Sequence, residues 1–143
     1  MNVAGILKVK GRAVMTGRPD ETIQEVAAKL ALRRIGAVVI VGEGGSVMGI
    51  VSERDIIRAV GEQGASVLGQ TVGSIMTKNV LTCSEASTIE DMMAMMTQGR
   101  FRHVPVVDSE ALVGIVSIGD VVKHHIAEVE LEVTAMRDYL ATG

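Results

Sequence analysis

Aromatic side chains are nearly missing from this sequence of 143 residues: there is no Trp, and Phe101 and Tyr139 stand alone. That scarcity argues against recognition of nucleic acid by base stacking, which needs exposed rings. A formal charge of −3 supplies no basic footprint for a phosphate backbone either. The single cysteine, Cys83, excludes an internal disulfide and a zinc cluster and fits a reducing cytoplasm. No apolar run approaches a bilayer span of about 20 residues, and the N-terminus lacks a signal-peptide layout. The chain therefore reads as a cytoplasmic protein without membrane contact. Neither a Walker loop nor a G-x-G-x-x-G fingerprint is present, and no acid, base and nucleophile assemble. No catalytic residue and no metal ligand are assigned.

What the sequence does contain is aliphatic. Hydrophobic residues make up 48%, with 9 Met and 16 Gly, which implies a core filled by Val, Ile, Leu and methionine in place of rings. The length suits one ordinary domain or two half-sized, mutually dependent units. A repeat favours two units: Met48-Gly-Ile-Val-Ser-Glu-Arg-Asp-Ile-Ile57 returns as Val113-Gly-Ile-Val-Ser-Ile-Gly-Asp-Val-Val122. In each copy an apolar strand passes through Ser-x-x-Asp into an apolar helical start. Ser52 with Asp55, and Ser117 with Asp120, thus stand where unpaired backbone N–H groups gather. The same pattern is also an ordinary helix cap.

Read in order, Val3, Ile6 and Leu7 give a short helix over residues 1 to 10 that ends at Gly11. Arg12 to Thr16 is a strand candidate, closed by Gly17, Pro19 and Asp20. Asp20 is placed to cap a helix with Ile23, Val26, Ala27 and Leu30 on its apolar side, carried onward by Leu32 and Ile35. The β-branched run Ala37 to Val41 reads as a buried strand, and the glycines between Gly42 and Gly49 are assigned to a hairpin into Val47 to Val51. A helix from Arg54 to Val60 closes the unit, and Gly61 to Gly69 is a polar connector.

The second unit repeats that order. It has a short helix at Val72, Ile75 and Met76, a strand Asn79 to Thr82, a helix carrying Met92, Met93 and Met96, and strands His103 to Val107 and up to Val116. Ser87-Thr-Ile89 matches Glu21-Thr-Ile23 at a shift of 66 residues, which becomes 65 at Gly114, Ser117 and Asp120. After Lys123 the chain continues as a helix with Ile126, Val129, Val133, Met136 and Leu140 on one side and Glu128, Glu130, Glu132 and Arg137 toward water. The apolar side must be covered, either by a second copy of the chain or by the N-terminal helix. The expected division is 1–66 for the first unit with its N-terminal helix, 67–125 for the second, and 126–143 for the terminal helix, in the α/β (α+β) class.

A β-α-β-β-α unit in tandem, with Gly49-Ile-Val-Ser-Glu-Arg-Asp55, Gly114-Ile-Val-Ser-Ile-Gly-Asp120, Arg102-His-Val-Pro-Val106 and the preceding Thr82, resembles the cystathionine-β-synthase (CBS) domain family. The likeness is to the stand-alone bacterial type of tandem pair and covers nearly the whole chain. It implies two units packed through their sheets as a pseudo-twofold pair, a Bateman module, which commonly associates with a second pair. It implies a regulatory protein that binds adenine nucleotides such as AMP, ADP, ATP or NAD(H), or S-adenosylmethionine, in clefts between the units.

Under that resemblance Asp55 and Asp120 offer carboxylate oxygens to ribose hydroxyls, and Ser52 and Ser117, with helix-start N–H groups, meet a phosphate. Adenine is expected near Ile35 to Val38 or Phe101 to Val104. The Asp120 cleft takes Thr16, Gly36, Ala37 and Val38 from the first unit. The Asp55 cleft takes Thr82, Arg102, His103 and Val104 from the second. Arg102, His103 and Arg54 are the phosphate partners. Because Gly36 and Ala37 stand opposite Arg102 and His103, and Gly119 opposite Arg54, the two clefts are expected to be unequal. Lys8 and Lys10 are read as solvated, His124 and His125 as surface residues, the methionines as core filling and Cys83 as inert.

Three functional readings follow. One is a homodimeric sensor whose nucleotide occupancy is read by an effector protein. Another is a structural dimerisation module with vestigial clefts. A nucleotide-dependent nucleic-acid binder is a minor third, opposed by the charge.

Overall fold

The computed structural model describes residues 1–99 and 101–142. The first unit comprises β1 (Thr16–Gly17), α2 (Ile23–Arg33), β2 (Ala37–Val41), β3 (Val47–Ser52) and α3 (Glu53–Gln63), preceded by α1 (Val3–Lys10). The second comprises α4 (Ile89–Gly99), β4 (His103–Asp108), β5 (Ala111–Ser117) and α5 (Ile118–Thr142). Short 3₁₀ turns at Ala65–Gly69 and Val72–Ser74 join them. In the first sheet β1 runs parallel to β2 and β2 antiparallel to β3; the second sheet is the antiparallel pair β4 and β5. The repeat holds in register, with Ala37 opposite Ser52 just as His103 is opposite Ser117.

The expected first strands are the weakest elements. Arg12 to Thr16 shrinks to the two-residue β1, and Asn79 to Thr82 forms no strand, leaving a bridge between Cys83 and Val106. The difference between the units has a covalent cause. In the first, the Val39 N–H donates to Met15 O at 3.3 Å. Its equivalent in the second is Pro105, which has no N–H, so only the bonds of Cys83 N–H to Pro105 O and Val107 N–H to Cys83 O remain.

Asp20 is not the cap of α2. Thr22 is, through its Oγ1 accepting the Glu25 N–H at 3.1 Å, and the equivalent Thr88 accepts the Asp91 N–H at 3.0 Å. Both threonines sit one residue before the helix, where an oxygen reaches the third amide of the first turn. Leu32 is 81% exposed: two residues beyond the buried Leu30, it lies around the helix from the face set by Ile23, Val26 and Leu30. The supposed polar connector holds the fully buried Val67. Glu128, expected to face water, receives the Met1 amino group at 3.3 Å.

Two cores form, and the segments preceding each unit are exchanged between them. Val3, Ile6 and Leu7 of α1 pack with Ile89, Met92, Met96, Val104 and Val116 of the second unit. Val67 and Val72, with Ile75 and Met76 against them, pack with Ile23, Val26, Val38 and Val51 of the first. The exchange repeats in the backbone: Ile23 N–H donates to Gln70 O and Val72 N–H to Glu21 O, as Val3 N–H donates to Ser87 O and Ile89 N–H to Met1 O.

Close approach at the motif glycines makes this docking possible. A Cβ on Gly49 would stand 2.6 Å from Met76 Sδ, and one on Gly114 would stand 2.8 Å from Leu7 Cδ2. Gly49 was expected to serve the hairpin; it serves instead as the floor on which the leader's side chain rests.

Candidate functional site

Each Ser-x-x-Asp lies at the junction of the last strand with a helix, and each is first a helix cap. Ser52 Oγ accepts the Asp55 N–H at 3.3 Å while Asp55 Oδ2 accepts the Ser52 N–H at 2.8 Å. Ser117 and Asp120 repeat the exchange at 3.1 and 2.9 Å. The junctions also lock onto the preceding loops in the same way, with Glu53 N–H donating to Gly36 O and Ile118 N–H to Arg102 O. That pair of bonds carries Gly36 and Arg102 to the mouths of the clefts.

Beyond the caps the junctions diverge. Asp55 turns its other oxygen, Oδ1, toward Arg58 Nη1 at 3.9 Å. Asp120 is met by Lys10, whose Nζ lies 2.7 Å from Oδ2 and also donates to Ile115 O at 2.9 Å. Lys10, though exposed, is thus engaged by the protein and not free in solvent. Burial pulls the Asp120 carboxyl upward, but the hydrogen bonds from Lys10 and Ser117 outweigh it and hold it below the usual carboxylate range. In the first unit the carbonyl equivalent to Ile115 is Ile50, and it receives a backbone donor, Thr77 N–H at 3.0 Å.

Two clefts lie between the units. The first, about 490 Å³, is lined by Ser52, Arg54, Asp55 and Arg58 from one unit and Phe101, Arg102, His103, Ser117 and Gly119 from the other, with Gly36, Ala37 and Thr77. The second, about 580 Å³, is lined by Lys10, Val14, Met15, Arg33, Ile35, Gly36, Ala37, His103, Ile115 and Ser117. Both volumes fall in the range of small-molecule sites, roughly 300 to 1,000 Å³. Gly36, Ala37, His103 and Ser117 border both, so the His103 ring stands as the partition; a Cβ on Gly36 would lie 3.1 Å from it. Burial first, and the Lys10 ammonium second, hold the His103 imidazole below its ordinary value against the pull of Asp120 and Glu53. At neutral pH it is an uncharged ring.

Most of the sequence-expected site residues converge. Gly36, Ala37, Ser52, Arg54, Asp55, Phe101, Arg102, His103 and Ser117 line the first cleft, and Ile35 the second. Asp120 reaches the second through Lys10. Val38 and Val104 are fully buried in the two cores and line neither cleft. Thr82 is exposed and lines neither cleft, and Thr16 sits in β1 with its carbonyl accepting from Lys29 Nζ at 3.1 Å. Sequence reasoning missed Arg58, Thr77, Arg33, Met15 and Lys10. Arg58 was within reach, since it lies three residues after Asp55 on the same helix face. Lys10 carried no local signal, because its partner is 110 residues away.

Among the described residues no group of His, Cys, Asp and Glu is arranged to hold a metal ion, and no helix is long and apolar enough to cross a membrane. Burial pushes the Cys83 thiol up to about 11, which suits an inert core residue.

Comparison with known families places this arrangement. The CBS domain profile matches twice, over residues 11–62 and 72–126. The chain belongs to the CBS domain family. A solved CBS-domain containing protein, ATU1752 from Agrobacterium tumefaciens, is 50% identical with a TM-score of 0.85, over 87% of this chain and 99% of that one. The CBS domain pair of MJ0100, solved with 5′-methylthioadenosine and S-adenosyl-L-methionine, is 29% identical with a TM-score of 0.80, over 90% of this chain and 98% of that one. The CBS domain-containing protein CBSX3, mitochondrial, of Arabidopsis thaliana is 31% identical over 99% of this chain and 72% of its own. The two-unit fold of the CBS pair, with a long C-terminal helix, is therefore this chain's architecture.

Proposed function

We propose that the chain is a regulatory module that binds an adenine nucleotide of the AMP, ADP, ATP or NAD(H) kind between its two CBS units and performs no chemistry of its own. It works in the cytoplasm as a homodimer, and an effector protein reads a change in packing whose size is limited by the ligand's differential affinity for the two states. One observation carries the reading: the first cleft places Asp55 Oδ1 beside Arg58, with Arg54 and Arg102 also lining it. A carboxylate suits ribose hydroxyls and repels phosphate, while guanidinium groups hold phosphate in a two-pronged grip. Phe101 and Ala37 offer apolar surface for the base. MJ0100, solved with two adenosyl ligands, supports adenine as the base; the three arginines here point to a phosphate-bearing member of the class.

The second reading, a dimerisation module with vestigial clefts, draws on one feature, Lys10 already seated on Asp120. Calorimetric titration of the full chain with AMP, ATP and NAD separates the two. The expected result is saturable heat with at least one ligand and a rise in melting temperature. Absence of both with all three would leave only the dimerisation module.

A further inference from the structure

Helix α5 presents an apolar seam. Val122, Ile126, Val129, Val133, Met136 and Leu140 are between 42% and 69% exposed, and their spacing alternates four, three, four, three, four. That is the a and d pattern of a coiled coil, whose seam is covered by another helix of the same period winding around it. α1 does not supply the cover, because Val3, Ile6 and Leu7 are already buried in the second core.

The charges beside the seam select the partner and its direction. With Ile126, Val133 and Leu140 at a, the flanking e positions are Lys123, Glu130 and Arg137, and the g positions are His125, Glu132 and Tyr139. A parallel pairing of two copies sets Glu132 against the partner's Arg137 on both sides. The antiparallel pairing that covers all six seam positions sets Glu130 against Glu130, Glu132 against Glu132 and Lys123 against Arg137, like charges in each, and leaves His125 against Tyr139. We propose that α5 pairs in parallel and in register with the α5 of a second copy of this chain. The proposal supplies the surface for the self-association in the functional reading above and does not depend on a nucleotide.

Sedimentation of the full chain over a concentration series tests it. The expected mass is twice that of one chain, falling to one in Val133→Glu, with an unchanged helical signal showing that the fold survives. Glu132→Arg should weaken the dimer roughly tenfold through its two pairs, and adding Arg137→Glu to it should restore the parent affinity. Met136→Cys should oxidise to a linked dimer, since equivalent d positions meet only in parallel register.

A monomer at every concentration would overturn the proposal. So would a dimer that survives Val133→Glu and is lost in Ile57→Glu, which would move the interface to the groove of about 510 Å³ lined by Leu30 of α2, Ile35 after it and Ile57 of α3. An intact dimer with no cross-link at position 136 would overturn the parallel register. Titration of Val133→Glu with AMP keeps the two readings apart, because heat without self-association in the parent removes the seam alone.

Discussion

The two units are built to one plan and finished differently. In the first, the strand-to-helix junction keeps Asp55 Oδ1 toward the cleft and adds Arg54 and Arg58. In the second, Gly119 stands where Arg54 would be, and Lys10 is already bonded to Asp120. The polar side chains opposite are distributed the other way, with Arg102 and His103 in the second unit against Gly36 and Ala37 in the first. Duplication preserved what folds each unit, the capping pairs, the register and the glycine floor. It let the side chains that line the clefts drift apart. The difference is that the cleft at Asp55 gathers Arg54, Arg58 and Arg102, whereas the one near Asp120 has its acid engaged by Lys10 of the protein itself.

Four experiments can break or sharpen that contrast. The largest effect is expected at the glycine floors. A methyl on Gly49 would press on Met76 and also on the Thr77 carbonyl at 2.9 Å, whereas one on Gly114 meets only the end of Leu7. Backbone cannot yield as a leucine tip can, so Gly49→Ala should cost about 2–3 kcal/mol and Gly114→Ala about 1 kcal/mol in denaturant titrations. Equal losses would mean that the floors are equivalent after all.

Next comes affinity. Asp55→Asn keeps an acceptor for the Ser52 N–H but removes the charge, and should weaken binding of a ribose nucleotide about tenfold. Asp120→Asn should weaken it less, because Lys10 already holds that carboxylate. Matching losses by calorimetry would erase the proposed inequality of the clefts.

The hairpins differ too. The first turns through Gly44 and Gly45 at φ of 75° and 79°, but the second turns through Ser109 and Glu110 at 49° and 68°, a left-handed conformation that side chains resist. Replacing that pair by Ser109→Asn with Glu110→Gly should raise stability by about 1 kcal/mol. No gain in the melting midpoint would show that the second turn bears no strain.

The smallest effect concerns acid. Because the Asp120 carboxyl is held below its ordinary value in the folded chain, the stabilisation from Lys10 is fully present above the unfolded value and is lost as pH falls through the folded one. Lys10→Met should therefore be less stable than the parent at neutral pH, and the gap should close only once pH has fallen through the depressed value of the folded Asp120 carboxyl. A gap that persists there would assign Lys10 a packing role instead.

The repeat made much of this legible in advance. Hydrophobic period and β-branched runs located β2, β3, β4 and β5, and the Ser-x-x-Asp spacing located both junctions, because those features are local. The first strands were expected longer than they are, because their pairing depends on a distant backbone, and a single proline at position 105 decides it in the second unit. Thr77 went unnoticed in the sequence, yet its amide and carbonyl pair with Ile50 across the first sheet's edge. Lys10 escaped for the same reason: nothing near it in sequence announces that it reaches Ile115 and Asp120. Leu32 misled because an apolar residue two places from a buried one looks continuous on paper and is not on a helix.

The exchange of leader segments bears on how such a molecule could have begun. Each half holds a socket filled by a plug that the chain supplies ahead of the other half. A polypeptide with one repeat would own one socket and one plug that do not meet each other, and would close both by trading with a twin. Fusing two twins end to end turns that trade into an internal one, which no dilution can undo.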